Sequence, residues 1–345
     1  MDRVRWGIVG PGAIGETFAR GLAQSKTGIL HAVASRDVGR ARAFASSFGA
    51  ESAYGSYEAL LQDPRVEAVY IATPHPLHRE WAVLAAQAGK HLLVEKPIAM
   101  NANQAEAIVH AARESGVFLM EAYMYRCHPQ TVRLVEIIRS GVIGDVLAVD
   151  ASFSFQSAFN GESRAWKKAL GGGAILDIGG YVVSMARLVA GAATGQRFAD
   201  PDIVQGVGVL HPETGVDSRA SALLKFPGGF IATVHAGIDI RRGGAVRVFG
   251  TTGSIQLDEP WLCRREGRQD GLLVVEREEG SREVEAIALE TTSFACEADV
   301  CGRSIRAGFV QPDHPTAMTW DDTLGNMRTL DAWRQRLGLV YEGLE

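Results

Sequence analysis

The chain has little cysteine, no long block of basic residues and no uncharged apolar run long enough to cross a bilayer. Its four cysteines, Cys127, Cys263, Cys296 and Cys301, are scattered, and Cys296 and Cys301 lack the short spacing of a zinc knuckle. A disulfide framework is therefore not expected, and free, packed thiols in a reducing compartment are the simplest reading. A net charge of -5 without a basic block gives no support for nucleic-acid binding. MDRVRWGIVG runs straight into a strand pattern without the features of a signal peptide. With no membrane span in view, a cytoplasmic location is expected. Flexible Gly/Ser linkers, internal repeats and low-complexity segments are also missing.

What is present is an ordinary globular composition, 46% hydrophobic and 22% charged, in 345 residues, a length that suggests roughly two domains. The first third alternates short apolar runs with segments of helical period: VRWGIVG, HAVAS, AVYIAT, HLLVEK and VFLMEAY are strands, with helices from about Ala13, through RARAFASSF, from about Leu77 and through QAEAIVHAAR. That rhythm predicts a parallel sheet covered by helices on both faces. After Tyr123 a helix through VRLVEIIRS is followed by longer alternating runs, VLAVDASFSF, IVQGVGVLH, SRASALLKF, GFIATVHAGIDI and AVRVFG. Alternation with tight turns such as FPGGF predicts a mostly antiparallel, open sheet. The fold class is α/β, with a Rossmann domain over 1–123 and an α+β domain over 124–345. The last helix is allowed to return to the first domain.

Gly10-Pro11-Gly12-Ala13-Ile14-Gly15 follows the first strand and opens the first helix. In that context G-x-G-x-x-G is a dinucleotide turn, because glycines permit close approach and the helix N-terminus offers N–H groups to a pyrophosphate. The end of the second strand carries Ser35-Arg36 where an NAD site usually has an acid. A hydroxyl and a guanidinium suit a 2′-phosphate, and Arg40, one turn beyond an Asp37 N-cap, adds a second positive group. The expected cofactor is NADP; the plainer alternative is that Arg36 is a solvated surface charge.

Two further stretches ask for an explanation. VEKPIAM, residues 94 to 100, ends an apolar strand with a lysine that the following proline aims stiffly, or else it is only a solvated strand end. GGGAILDIGGY, residues 171 to 181, reads as helix, which puts Asp177 and Tyr181 four apart on one face. Gly179 and Gly180 each cost about 1 kcal/mol inside a helix. Either a planar cofactor lies close by or the helix packs tightly on a neighbour.

GPGAIG, VASRD, ATPHPLH, EKP, GGGAILDIGGY and GTTGSI, in this order, resemble the glucose-fructose oxidoreductase, inositol dehydrogenase and rhizopine-catabolism family, Gfo/Idh/MocA. YGSYEALLQDP, FLMEAYMYR, LDIGGY, ETGVD and GNMRTLDAWRQRLGL are most similar to its branch of dimeric dihydrodiol dehydrogenases and NADP-dependent aldose dehydrogenases. The resemblance implies hydride transfer on a sugar or vicinal diol. It also implies a homo-oligomer formed through the C-terminal sheet. By motif it makes Lys96 the active-site lysine, Asp177 the aspartate of the second motif and Tyr181 the acid/base. Thr73, Pro74, His78, Glu95 and Arg126 join the glycine turn, Ser35, Arg36 and Arg40 at the cofactor. Tyr123, Arg126 and Trp166 join Lys96, Asp177 and Tyr181 around the substrate, although Trp166 reads equally well as a core or interface aromatic. His75 stands where the family often has asparagine. His75 and His78, three apart without further ligands in view, read as cofactor-loop or cap groups, and no metal is expected.

Elementary chemistry agrees with these roles. Oxidising a carbinol needs a base for its hydroxyl proton while hydride leaves the same carbon. A free tyrosine, with pKa about 10, is a poor base at neutral pH, and a neighbouring ammonium favours its phenolate. Other readings stay open: an aldose-aldose oxidoreductase holding NADP tightly, a glycosidase that borrows bound nicotinamide, and a regulator that only senses NADP. Retention of Lys96, Asp177 and Tyr181 argues against the last, since sensing needs no acid/base set.

Overall fold

The computed structural model describes residues 2–262, 271–289 and 291–345. Cys263 lies outside the described residues. Two compact units emerge, one of Met1–Ala99, Asn103–Cys127 and Glu290–Thr323, the other of Met100–Ala102, His128–Leu289 and Leu324–Glu345. Apart from Met100–Ala102, which group with the second unit, the first unit runs to Cys127 and is rejoined by 290–323, a segment that includes the first turn of the last helix.

In the first unit the strands are β1 (Val4–Val9), β2 (Gly28–Ala34), β3 (Ser52–Tyr54), β4 (Ala68–Ile71), β5 (His91–Glu95) and β6 (Leu119–Ala122). They pair in parallel in the order β3-β2-β1-β4-β5-β6. The helices between them are α1 (Ala13–Leu22), α2 (Val38–Phe48), α3 (Tyr57–Leu61), α4 (His78–Gln87) and α5 (Ala102–Glu114). β4 and β6 are buried along their whole length, as strands covered on both faces must be. The order reverses between β1 and β4, and in such sheets ligands bind beyond the carboxyl ends of the strands at that point.

The helix Ser293–Arg306 completes this unit by docking on α1 and the turn before β2. Gly21 is small because a Cβ there would stand 2.5 Å from Cβ of Phe294. Asp299 Oδ1 accepts the Ser25 hydroxyl at 2.6 Å, the Thr27 hydroxyl at 2.9 Å and the Lys26 amide at 2.9 Å. The same helix buries Glu297 completely, with neither carboxyl oxygen hydrogen-bonded among the described residues. Burial, then the nearby Glu95, pushes that carboxyl well above the ordinary range.

The second unit contains α6 (Pro129–Arg139), β7 (Val146–Gln156), α7 (Gly180–Ala193), β8 (Ile203–Leu210), β9 (Asp217–Lys225), β10 (Ile231–Gly237), β11 (Asp239–Gly250), β12 (Gly253–Asp258), β13 (Gly271–Arg277) and β14 (Arg282–Ile287). In chain order Ser293–Arg306 is α8, and Trp320–Arg336 is α9. The sheet runs β14-β13-β12-β11-β7-β10-β9-β8, antiparallel except between β10 and β7. One face buries Ala220, Ala222, Leu224, Ala232 and Val234, while the alternate positions point outward. α7 is buried on every side and packs on β7 and β10. The stretch Lys168–Ala193 is long and apolar enough for a membrane span, but its most apolar 18 residues are all buried inside this unit, as in the core helix of a globular domain.

Candidate active site

The glycine turn separates into two kinds of constraint. Gly10 has φ 92°, and a Cβ on it would lie 3.0 Å from the Ala72 carbonyl oxygen. A Cβ on Gly15 would lie 3.0 Å from the Gly10 carbonyl oxygen. These two glycines are required by the chain itself. Gly12 is not, because a Cβ there meets nothing within 4 Å. Gly12 is also the N-cap of α1 and offers no side-chain cap, so the first amides at Ala13 and Ile14 face outward without one. Space beside uncapped amides at the positive end of a helix fits a pyrophosphate. The Thr73 hydroxyl after β4 is buried with no hydrogen-bond partner among the described residues, a further group that a ligand would satisfy.

At the end of β2, Ser35 is buried and its Oγ accepts the Asp37 amide at 3.2 Å. Asp37 caps α2, accepting from the amides of Gly39 at 2.7 Å and Arg40 at 3.3 Å, as its position implies. Arg36 and Arg40 are exposed. No acid occupies the strand end, and the one nearby carboxylate is turned onto its own helix.

Past β4, Pro74 leads into a single 3-10 turn, His75–Leu77. The buried His78 ring contacts two carbonyl oxygens, Thr73 at 2.8 Å and Pro97 at 2.9 Å, and so ties the two loops together. His75 is buried edge-on to it, with ring centroids 5.7 Å apart. Glu95 ends β5 buried, accepting the Tyr70 hydroxyl and, at 3.2 Å, the Lys96 amide. Lys96 is half-buried directly beyond it, and the Lys96-Pro97 peptide is cis.

Two of the expected contact residues are engaged within this unit. Arg126, read as a cofactor or substrate contact, is buried and donates to the Thr316 carbonyl and, at 2.6 Å, to Asp322. A guanidinium removed from water needs such partners, and these come from 196 residues away for Asp322. Tyr123 is likewise buried, edge-on to Tyr125 at 6.3 Å.

In the second unit GGGAILDIGGY does not form a plain α-helix. A π turn covers Ile175–Gly179 and α7 follows from Gly180. Such turns are rare and, where they occur, frequently lie at functional sites. Asp177 is buried, and its Oδ1 accepts from Arg164 at 2.9 Å, the guanidinium being half-exposed. Tyr181 is buried with its ring edge-on to Phe153 at 5.2 Å and to Trp261 at 6.0 Å. A Cβ on Gly179 would stand 3.2 Å from Trp333, a tight fit within the unit. Trp166 is buried, donating to Ser157 Oγ at 3.4 Å and edge-on to Phe159 and His211.

Arg164 and Asp217 are the polar residues of this neighbourhood that sequence reasoning did not single out. Arg164 lies in an aperiodic loop, so only its ion pair reveals it. Asp217 sits within ETGVD and meets the helix start across 42 residues, its Oδ2 accepting the Ile175 amide at 2.7 Å.

Comparison with known proteins follows the same division. Residues 4–123 match the oxidoreductase family with an NAD-binding Rossmann fold, and residues 131–256 match the Gfo/Idh/MocA C-terminal domain. The chain is 39% identical to a trans-1,2-dihydrobenzene-1,2-diol dehydrogenase of Mus musculus over 75% of each chain. It is 32% identical to the D-xylose 1-dehydrogenase (NADP(+)) 2 of Haloferax volcanii, over 99% of this chain and 97% of that one. Among solved structures it resembles KijD10, a 3-ketoreductase from Actinomadura kijaniata in complex with NADP and TDP-benzene. The TM-score is 0.85 and the identity 29%, over 97% of this chain and 98% of that chain.

Proposed function

The chain belongs to the Gfo/Idh/MocA oxidoreductase family, and from that premise we propose that it transfers hydride between NADP and a sugar or vicinal diol. The observation that carries this reading is the pair Asp177 and Tyr181, buried four residues apart at a π turn, with Asp177 tied to Arg164. NADP, when bound, accepts or returns the hydride. Gly12, Ala13 and Ile14 would hold its pyrophosphate, and Arg36 with Arg40 would face its 2′-phosphate. Relatives named for an NADP-dependent xylose dehydrogenase and for an NADP-bound ketoreductase support that choice of nucleotide.

In this reading Tyr181 takes the carbinol proton and returns it in the reverse direction. Lys96 favours its phenolate, and Asp177 holds a substrate hydroxyl in an orientation that Arg164 fixes. Phe153 and Trp261 keep the Tyr181 ring in place. The outward face of the eight-stranded sheet supports a homo-oligomer, because Val207, Leu223, Ile231 and Phe249 all point from it to solvent. A cytoplasmic setting suits the free thiols of Cys127, Cys296 and Cys301.

The test is a panel of aldoses and diols followed at the nicotinamide absorbance, with mass spectrometry of the protein as isolated to detect retained NADP. Tyr181→Phe should keep NADP affinity and lower kcat by about 10² to 10⁴ on the best substrate. Near-normal turnover by Tyr181→Phe would remove the acid/base assignment. Retained cofactor with turnover only between two sugars would replace a dehydrogenase by an aldose-aldose oxidoreductase.

A further inference from the structure

We propose that Asp217 is the positioning residue of the acid/base helix: its carboxyl group holds an amide that opens the helix and so sets where Asp177 and Tyr181 stand. The inference rests on the reading of Tyr181 and Asp177 given above. Asp217 opens β9 and is fully buried. Its Oδ2 accepts the Ile175 amide at 2.7 Å. Opening amides of a helix have no internal partner and form its positive end, which a carboxylate satisfies on both counts.

Four other helices obtain this service locally, from Asp37 for α2, Ser56 for α3, His128 for α6 and Thr292 for α8. The Gly171-Gly172-Gly173 run has no side chain to offer, and the residue before the π turn makes no side-chain cap. The carboxyl comes instead from another strand. Gly173 makes room for it: φ is 115°, and a Cβ there would lie 2.2 Å from Asp217 Oδ1 and 3.0 Å from Tyr341 Oη. Tyr341 holds the run from the other side, its hydroxyl donating to the Gly172 carbonyl. Asp217 and Tyr341 thus bracket the backbone two residues before Ile175. A π turn is less stable than an α turn, so its register must be imposed from outside the helix.

The charged and titratable groups around this carboxyl are Arg334 of α9 and Tyr341, with Glu345 beside both. Burial raises the Asp217 pKa to about 7, against the pull of the Ile175 amide, its own amide, Arg334 and the Ala174 amide. Asp217 Oδ1 has no hydrogen-bond partner among the described residues. Ionisation near neutrality therefore tightens the grip on the Ile175 amide.

The experiment is steady-state kinetics with NADP and the best substrate, across pH, for Asp217→Asn, Asp217→Ala, Tyr181→Phe and Asp217→Asn with Tyr181→Phe. Asp217→Ala should lower kcat by about tenfold or more, and Asp217→Asn by less, because an amide oxygen still accepts from Ile175. NADP affinity should not change. The rise of kcat around pH 7 should vanish in Asp217→Asn while the higher step of Tyr181 persists. In the Tyr181→Phe background Asp217→Asn should matter by less than about twofold, since both act through one group. A folded Asp217→Asn with the parental kcat and pH profile overturns the proposal, and it decides the matter if Asp217→Ala does not fold. A fully active Tyr181→Phe would instead overturn the acid/base reading beneath it.

Discussion

Gly173 faces Asp217 so closely that a single methyl group on the glycine would stand 2.2 Å from the carboxyl oxygen. The glycine also holds φ at 115°, where a side chain is strained whatever space it has. Gly173→Ala should therefore destabilise the protein by about 3 kcal/mol or more, combining backbone strain with overpacking. Urea denaturation at pH 7 measures it. A loss below about 1 kcal/mol would mean the carboxyl can move aside, and the bracket around the helix start would lose its rigidity.

Arg36 and Arg40 are exposed at a strand end whose nearest carboxylate, Asp37, is engaged as a cap. Arg36→Ala should weaken NADP by about 1.5 to 3 kcal/mol and leave NAD nearly unchanged. Calorimetric titration with both nucleotides compares them directly. Equal affinities for the unmutated protein would sink the assignment.

The outward sheet face carries Val207 at 74% exposure, Leu223 at 54% and Ile231 at 48%. A homo-oligomer formed there should dissociate at least about tenfold more readily when Leu223 or Val207 becomes glutamate, because a charge would be left unpaired in the interface. Light scattering over a micromolar dilution series reads the mass. A monomeric parent protein would count against the face as an interface.

Glu297 gives a pH dependence with a definite sign. Burial holds its carboxyl well above the usual 4.5, so the folded chain keeps a proton that the unfolded chain releases. Its contribution is full below about pH 4.5 and falls as pH rises towards the folded value, by roughly 1 kcal/mol per unit. Glu297→Gln has no such proton, so the difference between the two stability curves should widen in favour of glutamine as pH rises above about 5. Parallel curves would show that the carboxyl is solvated or paired.

Local pattern was enough to read the first sheet, the glycine turn and the Asp37 cap, because each depends on residues within one or two turns of chain. β3 and α3 escaped: three half-buried residues and a five-residue helix carry too little periodicity to register. At the candidate site, motif placed Asp177 and Tyr181, but the features that hold them are distant in sequence. Gly179 is answered by Trp333, Ile175 by Asp217 and Arg126 by Asp322. Periodicity has no access to such pairings, which arise only when separate elements meet.

The docking of α8 on α1 has a consequence for how the protein is made. Synthesis proceeds from the N-terminus, so the α8-facing surface around Gly21 and Thr27 stays uncovered until residue 306 has been added, after both sheets of the described residues have been translated. A gene fragment ending at residue 127 encodes the sheet and its helices α1 to α5 but leaves the α8-facing side of α1 uncovered. An independent nucleotide module would have to carry α8 grafted behind that fragment, with Phe294 and Asp299 retained to close over Gly21 and Thr27.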